Sequence, residues 1–129
     1  PRHQRHAEAT RRAVTAWGLE VFCREPRHYS GSLTAVLMPD GHSADRFRRT
    51  VADAFDMSLG GGLSKIADRV FRIGHLGDFN DLMLAGTLAG VEMGLERAGV
   101  PHQKGGVQAA LDFLVSEAGM ADAGRAAAE

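Results

Sequence analysis

The chain has 129 residues, 44% hydrophobic and 24% charged, with a formal net charge of -1. Those proportions suit one globular domain, and the near-neutral balance speaks against a nucleic-acid-binding surface. Cys23 is the only cysteine, so an internal disulfide is excluded and a reducing, cytoplasmic setting is expected; no apolar run is long enough to suggest a membrane span.

The first segment, from about His3 to Trp17, has helical spacing, with Ala9, Ala13 and Trp17 recurring every four residues. Arg2, Arg5, Arg11 and Arg12 make it locally basic and read as a solvated helix face. Gly18 suits the left-handed position that ends a helix. Leu19 to Cys23 alternates enough for a strand, and Pro26 breaks it. Leu33 to Met38 is a continuous apolar run closed by Pro39-Asp40-Gly41, a turn sequence. Ser43 can cap a helix carrying Asp45 in its first turn and Phe47, Val51 and Phe55 as its apolar stripe. Met57 to Leu59 is expected to be a short strand, and Gly60-Gly61-Gly62 a loop.

Val70 to Ile73 reads as another strand. Asp78 or Asn80 then caps a long helix ending near Ala98, with Leu84, Leu88, Val91 and Leu95 buried. Gly86, Gly90 and Gly94 form a second stripe. Each glycine costs about 1 kcal/mol against alanine in a helix interior, so the stripe predicts close approach by another backbone. Gly99 and Pro101 end this helix. Val107, Leu111, Leu114 and Val115 mark a last one that stops at Gly119. Residues 1–118 are expected to form the domain and 119–129 a frayed tail. The order of elements predicts an α+β fold, a small, mainly antiparallel sheet covered by helices. The chain opens on Pro1 inside a helical pattern, which is expected of a piece cut from a longer protein; a trimmed expression product is the alternative.

Single-chain catalysis is hard to assemble from these residues, and no catalytic residue is assigned. His3, His6, His28, His42, His75 and His102 are scattered, and zinc needs three or four convergent ligands, so no metal site is expected. His3 and His6 share a helix face without evident partners. Cys23 reads as a buried small hydrophobe. Gly60 to Lys65 lacks the spacing of a P-loop. Asp112 and Glu117 read as solvated charges, and the methionines, Met38, Met57, Met83, Met93 and Met120, mostly as core filler.

The most informative stretch is Val70-Phe71-Arg72-Ile73-Gly74-His75-Leu76-Gly77-Asp78. An arginine fixed at a strand end is well placed to clamp a carboxylate through two parallel hydrogen bonds. The alternative is a surface arginine on an edge strand.

This stretch, with Met57-Ser58-Leu59-Gly60-Gly61-Gly62-Leu63 before it and Leu82 to Leu95 after it, resembles the C-terminal domain of class V, fold-type I pyridoxal-phosphate aminotransferases. The likeness is greatest to their bacterial serine–glyoxylate branch. Ala13-Val14 and Trp17-Gly18-Leu19-Glu20 also match, and the likeness runs to about Val115. Ser64 and Asp68 stand where the family often has glycine. The resemblance implies that Arg72 binds the carboxylate of the amino or 2-oxo acid and that Gly60, Gly61 and Gly62 border the active site. It also implies that the Schiff-base lysine, the aspartate facing the pyridine nitrogen and the phosphate-binding residues belong to a missing N-terminal cofactor domain. Lys65 and Lys104 do not match that lysine's motif. A homodimer is implied for the full-length enzyme, and inactivity for the isolated piece. The expected reaction is serine with glyoxylate giving hydroxypyruvate and glycine. Alanine–glyoxylate transamination is an alternative within the family; a free-standing α+β module holding an acidic effector on Arg72 is an alternative outside it.

Overall fold

A computed structural model describes residues 2–22, 33–62, 68–74, 80–116 and 119–120. The expectations for Cys23, Pro26, His28, Lys65, His75, Asp78, Glu117 and the tail from Ala121 lie outside these residues, as does the side chain of His3.

Eight elements follow in the expected order: α1 (Arg2–Ala16), β1 (Glu20–Val21), β2 (Leu33–Leu37), α2 (Ala44–Phe55), β3 (Gly60–Gly61), β4 (Val70–Gly74), α3 (Asp81–Arg97) and α4 (Gly106–Val115). Their ends have identifiable chemistry. Gly18 ends α1 at φ +79 and Gly99 follows α3 at φ +68, a backbone region that glycine enters without steric penalty. The Ser43 hydroxyl caps α2 by accepting from the Arg46 amide at 3.0 Å, and the Asn80 side chain caps α3 by accepting from the Met83 amide at 2.8 Å.

The strands form one antiparallel sheet in the order β1-β2-β4-β3. Phe71 stands opposite Val36 and Gly61, whereas Arg72 stands opposite Ala35 and Gly60. Directly opposed residues share a face and neighbours alternate, so these two rows project to opposite sides. The Phe71 row enters the core, where the rings of Phe71 and Phe47 lie 4.8 Å apart. Val36, Phe71 and Ile73 are fully buried there with Trp17, Val51, Leu84, Leu88 and Leu95.

Several expectations are corrected. The short strand before β4 is Gly60–Gly61, not Met57 to Leu59, because backbone pairing with β4 sets it rather than side-chain propensity. The glycine stripe on α3 does not face one backbone: Gly94 meets the side chains of Val51 and Phe47, Gly90 meets Met57, and Gly86 faces open space. On α4, Ala110, Phe113 and Leu114 are buried while Leu111 and Val115 are exposed. Met83, Met93 and Met120 are also exposed rather than core filler.

Arg5 departs furthest from expectation. Only 4% of it is exposed, because it lies on the same four-residue repeat as Ala9 and Ala13 and turns inward with them. Its Nε donates to the Gly119 carbonyl at 2.8 Å, and one Nη donates both to Leu114 O at 3.0 Å and to Asp81 at 2.9 Å. His6 Nε2 meets the same carboxylate at 2.8 Å, so His6 does have a partner. A carboxylate shared by two buried groups answers the desolvation that would otherwise keep an arginine out.

Candidate carboxylate-binding site

Arg72 is the third of five residues in β4 and has β2 on one side and β3 on the other. It is therefore neither at the strand end nor on an edge, and hydrogen-bonded neighbours hold its backbone from both sides. Its side chain is half-buried. The Nε is buried with no hydrogen-bond partner among the described residues, and no described carboxylate pairs with the guanidinium. Five other arginines are neutralised in place: Arg5 by Asp81, Arg11 and Arg12 by Glu8, Arg48 by Asp45, and Arg69 by Asp40. Arg46, Arg49 and Arg97 also lack an ion pair among the described residues but are exposed to water, whereas Arg72 is half-buried. A partly desolvated cation without an anion is an incomplete interaction; a ligand carboxylate on the two terminal nitrogens would neutralise its charge.

The three glycines before Arg72 separate in role. A Cβ built on Gly60 would lie 3.0 Å from Arg72 Nε and 3.3 Å from one of its terminal nitrogens. One built on Gly61 would lie 2.6 Å from Arg48 Nη1, on the other side of the sheet. Arg48 in turn donates from Nε to the Leu59 carbonyl at 2.8 Å, tying α2 to the start of β3. The Gly62 amide continues the pairing to Val70 O at 3.2 Å. Gly60 is thus brought together with Arg72, while Gly61 faces the helices.

Three carboxylates are engaged in structure. Glu92, on α3, accepts from the Trp17 indole at 2.6 Å and from the Gly106 and Val107 amides at 2.9 and 3.2 Å. Burial alone would push its carboxyl up; the Trp17 indole and the amides of Val107, Gly106 and Gly105 outweigh that and hold it below the ordinary range. The hydrogen bond from Arg5, helped by His6, likewise holds Asp81 low against the opposing effect of burial. Asp68 is held low by the Ser43 hydroxyl and the Asp45 amide, completing the start of α2.

The start of α4, with Gly105 and Gly106, is the natural anion position, but the Glu92 carboxylate already fills it. Lys104 is exposed, and among the described residues no group of three or more His, Cys, Asp or Glu could hold a metal ion. No helix among them is long and apolar enough to cross a membrane. One surface groove runs between α1 and α4 beside Arg12 and Phe113, and another beside Pro39 and Arg69; Arg72 lines neither.

The chain is similar to proteins of known activity. It is 45% identical over 116 residues to the serine–glyoxylate aminotransferase of Methylorubrum extorquens, covering 87% of this chain and 29% of that protein. It is 46% identical over 114 residues to the serine–glyoxylate aminotransferase of Arabidopsis thaliana, covering 88% of this chain and 28% of that one. Its fold matches the ureidoglycine–glyoxylate aminotransferase of Bacillus subtilis with a TM-score of 0.82 at 26% identity, over 89% of this chain and 30% of that structure. No protein-family model matches. The chain spans under a third of the length of these relatives. On sequence and fold together, it is a homologue of the class V aminotransferases, matching one domain-sized part of them.

Proposed function

We propose that this sequence is the C-terminal small domain of a pyridoxal-phosphate-dependent aminotransferase that moves an amino group from serine to glyoxylate; the expected boundary at residue 118 extends at least to Gly119, whose carbonyl accepts from Arg5. Arg72 is its substrate-carboxylate clamp. The observation that carries this reading is the guanidinium of Arg72, held mid-sheet with no anion beside it among the described residues. Serine, hydroxypyruvate, glyoxylate and glycine all carry a carboxylate. One fixed arginine therefore serves both halves of the exchange, while the differing ends of the substrates are left to other residues. Two parallel hydrogen bonds set the orientation of the carboxylate as well as its position.

In this reading a larger N-terminal domain binds pyridoxal phosphate, which supplies the electron sink when bound. The complete enzyme is a cytoplasmic homodimer.

The test is steady-state kinetics of Arg72→Lys and Arg72→Ala in the full-length polypeptide, at full cofactor occupancy. Lysine keeps the charge and loses the planar fork. It should cost roughly 1.5–3 kcal/mol, or about ten- to a hundredfold in kcat/KM. Alanine should cost more, and for both serine and glyoxylate. An alanine variant with parental efficiency toward both substrates would place the clamp elsewhere.

A further inference from the structure

We propose that Gly60 is a positioning residue for Arg72: its missing side chain lets the guanidinium lie against β3, leaving the two terminal nitrogens as the carboxylate-binding end. This rests on Arg72 being the clamp and adds how the clamp is aimed. The register puts Gly60 directly opposite Arg72 on the same side of the sheet. The space a Cβ would occupy lies 3.0 Å from Arg72 Nε, 3.3 Å from its Cβ and 3.3 Å from Nη2. The arginine therefore packs along its length on bare backbone. Contacts of 3.0–3.4 Å are tighter than most side chains adopt, so a Cβ at 60 makes the Arg72 side chain give by a few tenths of an ångström.

The buried Nε gives this arrangement its chemical consequence. An arginine can take a carboxylate side-on, through Nε and one Nη, or end-on, through both Nη atoms. Here Nε is covered and has no partner among the described residues. Side-on binding is closed to a ligand, and only the end-on fork remains. Gly60 thus restricts a flexible four-torsion side chain to one direction of approach. The pairing of β3 with β4 keeps the platform in place, and the Gly62 amide bonded to Val70 O at 3.2 Å extends that pairing beyond β3.

A double-mutant cycle in the full-length polypeptide tests this. Gly60→Ala, Arg72→Ala and the combination are compared by KM for serine and glyoxylate. The dissociation constant of propionate, a non-reacting monocarboxylate, is measured by calorimetry alongside. A misplacement of about 1 Å can cost on the order of a hundredfold, and the shift of tenths of an ångström expected here correspondingly less. Gly60→Ala is expected to raise both KM values and the propionate constant about tenfold, with kcat changed far less. In the Arg72→Ala background the same substitution should do nothing further, because the residue it acts through is gone. If Gly60→Ala leaves propionate binding at the parental value, or weakens it equally in both backgrounds, Gly60 does not aim Arg72, and the clamp itself still stands. If Arg72→Ala retains parental propionate binding and KM, the clamp reading fails and this inference with it.

Discussion

Three glycines on one helix, chemically identical and evenly spaced, should respond to alanine in three different ways. Replacing glycine by alanine inside a helix is worth about 1 kcal/mol in backbone propensity. At Gly86 a new methyl would meet nothing within 4 Å, so that gain survives and the variant should be about 0.5–1 kcal/mol more stable. At Gly94 the methyl would collide with Val51 Cγ1 and lie 3.1 Å from the Phe47 ring. Both neighbours are fully buried, and Val51 is β-branched, so it cannot swing clear. Overpacking of this kind costs about 1–3 kcal/mol; the severity of the contact places it at the upper end, for a net loss of roughly 1–2 kcal/mol after the propensity gain. Gly90 lies between: the methyl would be 2.9 Å from the sulfur of Met57, the mobile end of a half-buried side chain, so the two effects nearly cancel. Urea denaturation of the three alanine variants, fitted with a common slope, gives the order 86, 90, 94 from most to least stable. Equal shifts at Gly86 and Gly94 would refute the packing argument.

Asp81→Asn removes the anion from beside buried Arg5. Breaking a fully buried pair costs about 3–5 kcal/mol, but the Asp81 side chain is 47% exposed, so a screened loss of roughly 1.5–3 kcal/mol is expected in thermal or chemical denaturation. Glu92→Gln should lose about 1–2 kcal/mol by weakening the acceptor shared by Trp17, Gly106 and Val107, read in the same assays. Both carboxyls are held below their ordinary values, so their stabilisation is complete above that range and is lost as the pH falls through the folded-state values. The acid limb of the parent's stability profile should accordingly be steeper than that of either variant. The chain on its own, mixed with pyridoxal phosphate and borohydride, should give no stoichiometric adduct at Lys104 or Lys65 by peptide mass mapping.

The helices, their caps and the order of elements were legible in the sequence because each rests on local chemistry. Ser43, Asn80, Gly18 and Gly99 act within a few residues of themselves. The strand Gly60–Gly61 was not legible: glycine has no strand preference, and only the partner β4 makes it a strand. Arg72 was found as a candidate, but its central position in the sheet depends on a strand order that periodicity does not give. Arg5 carried a usable signal, since its spacing to Ala9 and Ala13 places it on the buried face. Its charge argued against burial, and the Asp81 that accommodates it lies 76 positions away. The four residues that mark α4 do lie on it, but its buried face was not read from them: Ala110, Phe113 and Leu114 turn inward while Leu111 and Val115 are exposed.

The Arg5 cluster bears on how the domain is made as well as on how it is held. Arg5 reaches Asp81 across 76 positions, Leu114 across 109 and Gly119 across 114. Bringing such distant segments together costs chain entropy before any contact repays it. Short-range elements such as α2 and its cap are expected to form before the clasp that joins the two ends closes. Interactions absent from the folding transition state govern the rate of unfolding rather than that of folding. The salt-linked cluster is on this expectation a brake on opening: in stopped-flow kinetics Asp81→Asn should speed unfolding while leaving the rate of folding nearly unchanged.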